Sequence, residues 1–205
     1  MGTDVSAWKL FDGEVAEVST AEFHAGRERA RHLEEPGHKA RLTHAALLVD
    51  VAVRMAAMKG LPPTVSDLGC GDGGLLSLLA GRGFTAWGYD FCPANVAGWD
   101  ERRVTAEFLD VFGADQAKAR LGSVTAVTEV LEHLTNPAGA LRWIASWSRF
   151  VVASSPWDET PEQHDECHAW AFDRDGYADL LTTGGFRILR HYDVGRFQLI
   201  LGMRM

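Results

Sequence analysis

The sequence predicts a three-layer α/β protein built on a mostly parallel sheet. From residue 64 onward strand-like apolar runs alternate with helical ones. The last two strand-like runs flank a single glycine, Gly195, which reads as a closing hairpin. The residues richest in chemistry fall just after the strands, and ligands of such sheets sit outside the carboxyl ends of the strands. At 205 residues one domain is expected, and folding should bury about 70% of the unfolded surface.

The elements follow in order. Residues 38–59 carry Leu42, Ala46, Val49, Val53 and Ala56 at three- and four-residue steps, the spacing of an amphipathic helix, and Gly60 with Pro62-Pro63 ends it. Strands are predicted at 64–68, 84–89, 104–109, 124–128 and 149–154, with helices at 73–79 and 137–147. A helix at 172–182 and strands at 186–193 and 197–201 complete a seven-stranded sheet with an antiparallel C-terminal hairpin. In front of this body (38–205), residues 1–37 are mixed and polar and are expected to form a helical cap or lid segment.

Composition excludes several classes. With 28 acidic against 20 basic side chains the net charge is -8, a field that disfavours a nucleic-acid backbone. No run reaches the roughly 18 apolar residues of a membrane span, and the N-terminus lacks the basic flank and apolar core of a secretion signal. Cys70, Cys92 and Cys167 are scattered and form no CxxC pair, which fits a reducing compartment without disulfides. A soluble, cytoplasmic protein is expected.

Asp67-Leu68-Gly69-Cys70-Gly71-Asp72-Gly73-Gly74 follows the first strand and opens a helix. Its glycines permit positive φ and close backbone approach to a ligand, but Gly69, Gly71 and Gly74 also satisfy the dinucleotide pattern GxGxxG. Asp90, ending the second strand, suits two ribose hydroxyls in either case. Asp67 separates the readings: a carboxylate there repels a pyrophosphate and suits the ammonium of a methionine tail. Asp110, at the end of the third strand, is placed to accept from an adenine amino group.

On Asp67-Leu68-Gly69-Cys70-Gly71, Gly88-Tyr89-Asp90, Asp110, Glu129-Val130-Leu131-Glu132-His133-Leu134 and Gly184-Gly185-Phe186, the chain resembles the Rossmann-like (class I) S-adenosylmethionine (SAM)-dependent methyltransferases. The resemblance covers residues 65–205. It implies SAM across the first three strand ends, held by Asp67, Gly69, Cys70, Gly71, Asp90, Phe91, Asp110, Val111 and Glu129.

The fourth strand runs into Glu129-Val130-Leu131-Glu132-His133, facing the transferred methyl group. His133 reads as a general base or as a hydrogen-bonded wall residue, with His168 the second candidate base. Glu129, Glu132, His133 and His168 also form a set suited to a divalent metal ion. That set is similar to the metal quartet of the small-RNA 3′-terminal 2′-O-methyltransferases, and the ubiquinone-pathway O-methyltransferases share its ExxEH segment. The acidic net charge departs from the RNA enzymes, so RNA is not the expected substrate. Trp157 and Trp170 flank the loop carrying His168, as walls for an acceptor or as anchors of the loop. Trp143 and Trp147 are expected to pack on the sheet, and His24, His32, His38 and His44 to be solvated or satisfied.

The expected reaction is transfer of the SAM methyl to a small-molecule acceptor, most simply a hydroxyl, with or without a metal ion. An NAD-dependent oxidoreductase and a non-catalytic SAM-binding subunit are the alternatives.

Overall fold

Alternating apolar runs assemble into the predicted sheet in the structure, a computed structural model that describes residues 7–9 and 21–205. In chain order the first elements are β1 (Ala7–Lys9), α1 (Ala21–Ala25), α2 (Pro36–Met58), β2 (Thr64–Leu68), α3 (Gly74–Leu79), β3 (Thr85–Asp90), α4 (Val96–Arg102) and β4 (Ala106–Phe108). After them come β5 (Val124–Thr128), α5 (Pro137–Trp147), β6 (Phe150–Pro156), β7 (Trp170–Phe172), α6 (Arg174–Thr183), β8 (Phe186–Val194) and β9 (Phe197–Arg204). The seven-stranded sheet has the order β4-β3-β2-β5-β6-β9-β8. Six strands run parallel, and β9 runs against its neighbours β6 and β8.

Every residue of β5 and β6 is buried, as both faces of a parallel sheet require. On one face Val65, Val124, Ala126, Val152, Leu199 and Leu201 pack against α2 and α3. On the other, Leu68, Val127, Val151, Ala153 and Ile200 meet Leu141 and Ile144 of α5 and Tyr177 and Leu181 of α6. Local chemistry sets the helix starts. Pro137 opens α5 after Asn136, whose side chain accepts from Gly139 N–H, and Asp173 caps α6 by accepting from Gly176 N–H.

Four expectations change. The predicted helix at 172–182 starts at Arg174, because 170–172 is strand β7 paired antiparallel with β1. α4 was not expected; it is short, carries Gly98, and lies so close to the glycine loop that a Cβ on Gly98 would stand 2.7 Å from Asp72 O. Trp147 does not pack on the sheet: it is 68% exposed, whereas Trp143 is half-buried against Phe112. Of the expected cap, residues 1–6 and 10–20 lie outside the described residues; the rest gives β1 and the single five-residue helix α1 before α2. Among the described residues no helix is long and apolar enough to cross a membrane.

Candidate active site

Pairing of β2 with β3 on one side and β5 on the other sets the ends of the parallel strands level, and a cavity of about 990 Å³ opens over them. All nine residues expected to hold the cofactor line it: Asp67, Gly69, Cys70, Gly71, Asp90, Phe91, Asp110, Val111 and Glu129.

The glycine loop is pinned from both sides. Gly69 N–H and Cys70 N–H both donate to Tyr89 O of β3, at 2.9 and 3.0 Å, and Trp99 Nε1–H donates to Gly71 O at 2.8 Å. Gly69 sits at φ +70°, where a Cβ would also stand 2.5 Å from Val130 Cγ2, so only glycine fits. Asp90 ties this loop to the turn after β3. It accepts from Gly71 N–H at 2.9 Å, Cys92 N–H at 2.8 Å and Asn95 Nδ2 at 3.0 Å. Asp72 is buried and paired with Arg102 at 2.6 Å and Arg29 at 3.2 Å, which fastens the segment before α2 onto the same loop.

Asp67 is the unusual carboxylate. It is 1% exposed, its Oδ1 has no hydrogen-bond partner, and burial pushes its pKa from 3.8 up to about 8. Such a group is left wanting a cation. Arg41 of α2, not singled out in the sequence, is also buried and lines the cavity. It donates to Ser154 Oγ at 3.3 Å and contacts His38 Nδ1 at 3.3 Å, while its Nε is unpartnered. A buried carboxylate and a buried guanidinium on one wall match the two ends of an amino acid.

The imidazoles of His133 and His168 also line the cavity. His133 Nδ1 lies 3.0 Å from Cys167 O; a carbonyl only accepts, so Nδ1 carries the proton and Nε2 keeps its lone pair. Burial, then His168, hold its pKa down at about 3. His168 Nδ1 lies 2.6 Å from Glu159 Oε2, and the two imidazole centroids are 4.6 Å apart. Glu159, missed in the sequence among the acids of its loop, is 4% exposed and fixes the second ring.

The expected metal quartet is not assembled. Among the described residues the set of His, Cys, Asp or Glu ligand atoms lying within 4.8 Å of one another comes from His133, Cys167 and His168, without Glu129 or Glu132. Glu129 stands at φ +57°, accepts from Ser154 Oγ at 2.9 Å, and has its pKa raised by burial. Glu132 is buried off the cavity with neither carboxylate oxygen partnered, and burial, then Glu129, push its pKa well up.

Trp157 and Trp170 are anchors: their indole N–H groups donate to Gly195 O and Leu134 O, and neither lines the cavity. Of the four histidines expected to be solvated or satisfied, His24, His32 and His38 line it, and His38 and His44 have hydrogen-bond partners in Arg41 and Ala40 O. His32 is held neutral, with a pKa of about 4 because of burial.

Residues 38–191 match the model of the methyltransferase domain, three quarters of the chain. The chain belongs to that methyltransferase family. This sets aside the oxidoreductase alternative. Among solved structures, the methyltransferase resembles the N-methyltransferase NodS from Bradyrhizobium japonicum in complex with S-adenosyl-L-homocysteine (SAH). The TM-score is 0.66 at 15% identity, over 90% of this chain and 96% of that one. Magnesium protoporphyrin IX methyltransferase from Synechocystis with bound SAH gives 0.60 at 18% identity, over 90% and 92%. An N1-methyltransferase from Burkholderia thailandensis, with 1,6-didemethyltoxoflavin and SAH, gives 0.57 at 18%, over 77% and 78%. No curated protein sequence matches the chain significantly.

Proposed function

We propose that this methyltransferase moves the sulfonium methyl of SAM to a hydroxyl of a small molecule. The observation that carries the reading is Asp67, a buried carboxylate with an unpartnered oxygen at the head of the glycine loop. A dinucleotide would bring a pyrophosphate there; SAM brings an ammonium. In this reading Arg41 takes the methionyl carboxylate, Asp90 the ribose hydroxyls, and Asp110 with Val111 the adenine. Structural relatives crystallised with SAH support the same cofactor.

SAM supplies the methyl and its own leaving group, so the chain has to align donor and acceptor, exclude water and move one proton. Residues 24–35 contribute His24, Arg27, Glu28, Ala30, His32 and Glu35 to the cavity wall, which suits a cap over the acceptor. The acceptor proton leaves at the imidazole pair. His168 is the better equipped of the two, because Glu159 steadies the imidazolium that forms, whereas His133 resists protonation at a pKa of about 3. The 1–37 segment is proposed as part of the cap, with 38–205 as the catalytic body.

Calorimetric titration tests the cofactor: SAH is expected to bind and NAD not to. Asp90→Ala is expected to weaken SAH by about 1–3 kcal/mol, through lost hydrogen bonds and loosening of Gly71. Unchanged affinity would remove Asp90 from this role.

A further inference from the structure

Both carboxylates of the expected quartet are missing from the observed set and one thiol stands with the two imidazoles, which changes the chemistry of the site. We infer that His133, Cys167 and His168 form a soft-donor metal site, fit for Zn²⁺ rather than Mg²⁺ or Mn²⁺. One ring nitrogen of each histidine and Cys167 Sγ lie within 4.8 Å of one another. Two nitrogens and a sulfur select zinc or cobalt over hard dications.

The surroundings look built for ligands. Each imidazole has its Nδ1 engaged, His133 on Cys167 O and His168 on Glu159 Oε2, which leaves Nε2 of both with a lone pair to donate. A carboxylate behind a histidine is the usual outer partner of a metal-bound imidazole, fixing ring and tautomer. Glu159 is itself held, by Asp165 N–H at 3.2 Å and Arg196 at 3.5 Å. Cys167 Sγ lies 2.9 Å from Asp165 Oδ1 and receives a long contact from Arg27 at 3.6 Å. On metal binding the S–H bond breaks, the S–Zn bond forms, and the proton leaves to solvent. Nothing is oxidised or reduced.

All three ligands border the cavity, so a tetrahedral ion keeps its fourth position open toward it. An acceptor hydroxyl would occupy that position, its pKa lowered by coordination, with its proton released to solvent. In the loaded protein the imidazoles are ligands; in the metal-free protein His168 remains the base. This use of the ion rests on the methyl-transfer reading, whereas metal binding itself does not.

The test is metal analysis of the full chain after reconstitution with Zn²⁺ and dialysis, with anaerobic Co²⁺ titration beside it. About one zinc per chain is expected, and Co²⁺ should give a thiolate-to-cobalt charge-transfer absorption. Cys167→Ser should abolish that absorption. Glu159→Gln, which leaves all three ligands in place, should weaken Co²⁺ binding by about 10–100-fold. No retained zinc, or a cobalt spectrum that Cys167→Ser leaves unchanged, would overturn the site. Circular dichroism of each variant separates lost metal from lost fold. SAH titration of the metal-free protein is run in parallel: failure there sinks the cofactor reading and leaves the metal result standing.

Discussion

Asp67→Asn is expected to make the ligand-free protein more stable and the cofactor weaker. A buried carboxyl whose pKa rises from 3.8 to about 8 binds its proton more tightly folded than unfolded. The sign follows: the folded state suffers no penalty below pH 3.8, loses stability as pH rises, and bears the full cost above about pH 8. At about 1.4 kcal/mol per pKa unit, that cost at pH 7 is about 4 kcal/mol. Asparagine removes the charge but keeps a buried amide to satisfy, so a gain of about 1–3 kcal/mol is expected. For a chain of this size that raises the melting temperature by roughly 2–12 °C. His133 and His32, whose lowered pKa values make stability rise with pH below 6.5, oppose this slope, so the measurement is the difference between wild type and variant across pH. SAH affinity should fall by about 10–100-fold with the lost charge-assisted hydrogen bond. Calorimetry in buffers of different ionisation heat supplies a second readout: at pH 7 wild type should release close to one proton on SAH binding, and Asp67→Asn none. A variant that is no more stable, or that binds SAH as tightly, would refute the assignment.

What the sequence disclosed and what it hid differ physically. Asp67, Asp90, Asp110 and Glu129 could be read because each lies at or within two residues of a strand end, and strand ends are marked locally by a change of period and by glycines. The seven-strand sheet was legible for the same reason, whereas α4, β1 and β7, at seven, three and three residues, were too short to impose a pattern. Arg41 was hidden because a charged residue in an amphipathic helix looks like its solvated face; burial comes from the approach of Ser154 and Phe197, over a hundred residues away. Glu159 was one of several acids in a loop, and nothing local singled it out as the partner of His168. Cys167 likewise looked inert. Its place beside two imidazoles depends on the turn carrying His133 meeting the loop before β7, where Ala169 N–H donates to Glu132 O at 2.7 Å. That same meeting turns Glu132 inward, away from the ligand set its ExxEH spelling suggested.

His168→Ala is expected to lower kcat by about 10²–10⁴-fold while leaving SAH affinity unchanged. Different elements carry the two effects: Asp67, Gly71 and Asp90 lie on β2, β3 and the loop between them, whereas His168 lies in the segment before β7 and is held by Glu159. His133 is a poor substitute, since protonating an imidazole with a pKa of about 3 at pH 7 costs about 5 kcal/mol. Glu159→Gln should cause a smaller loss and shift the pH–rate profile, because the ring stays oriented but its imidazolium loses a countercharge. His168→Asn, closer in volume, guards against a cavity artefact at this buried position. Chelator treatment then divides the roles: a chelator-resistant rate that still collapses in His168→Ala identifies a proton acceptor, and a rate that chelator and His168→Ala abolish alike identifies a metal ligand. A full wild-type rate in His168→Ala, with the protein folded and SAH bound, would leave the imidazole pair without a part in the reaction.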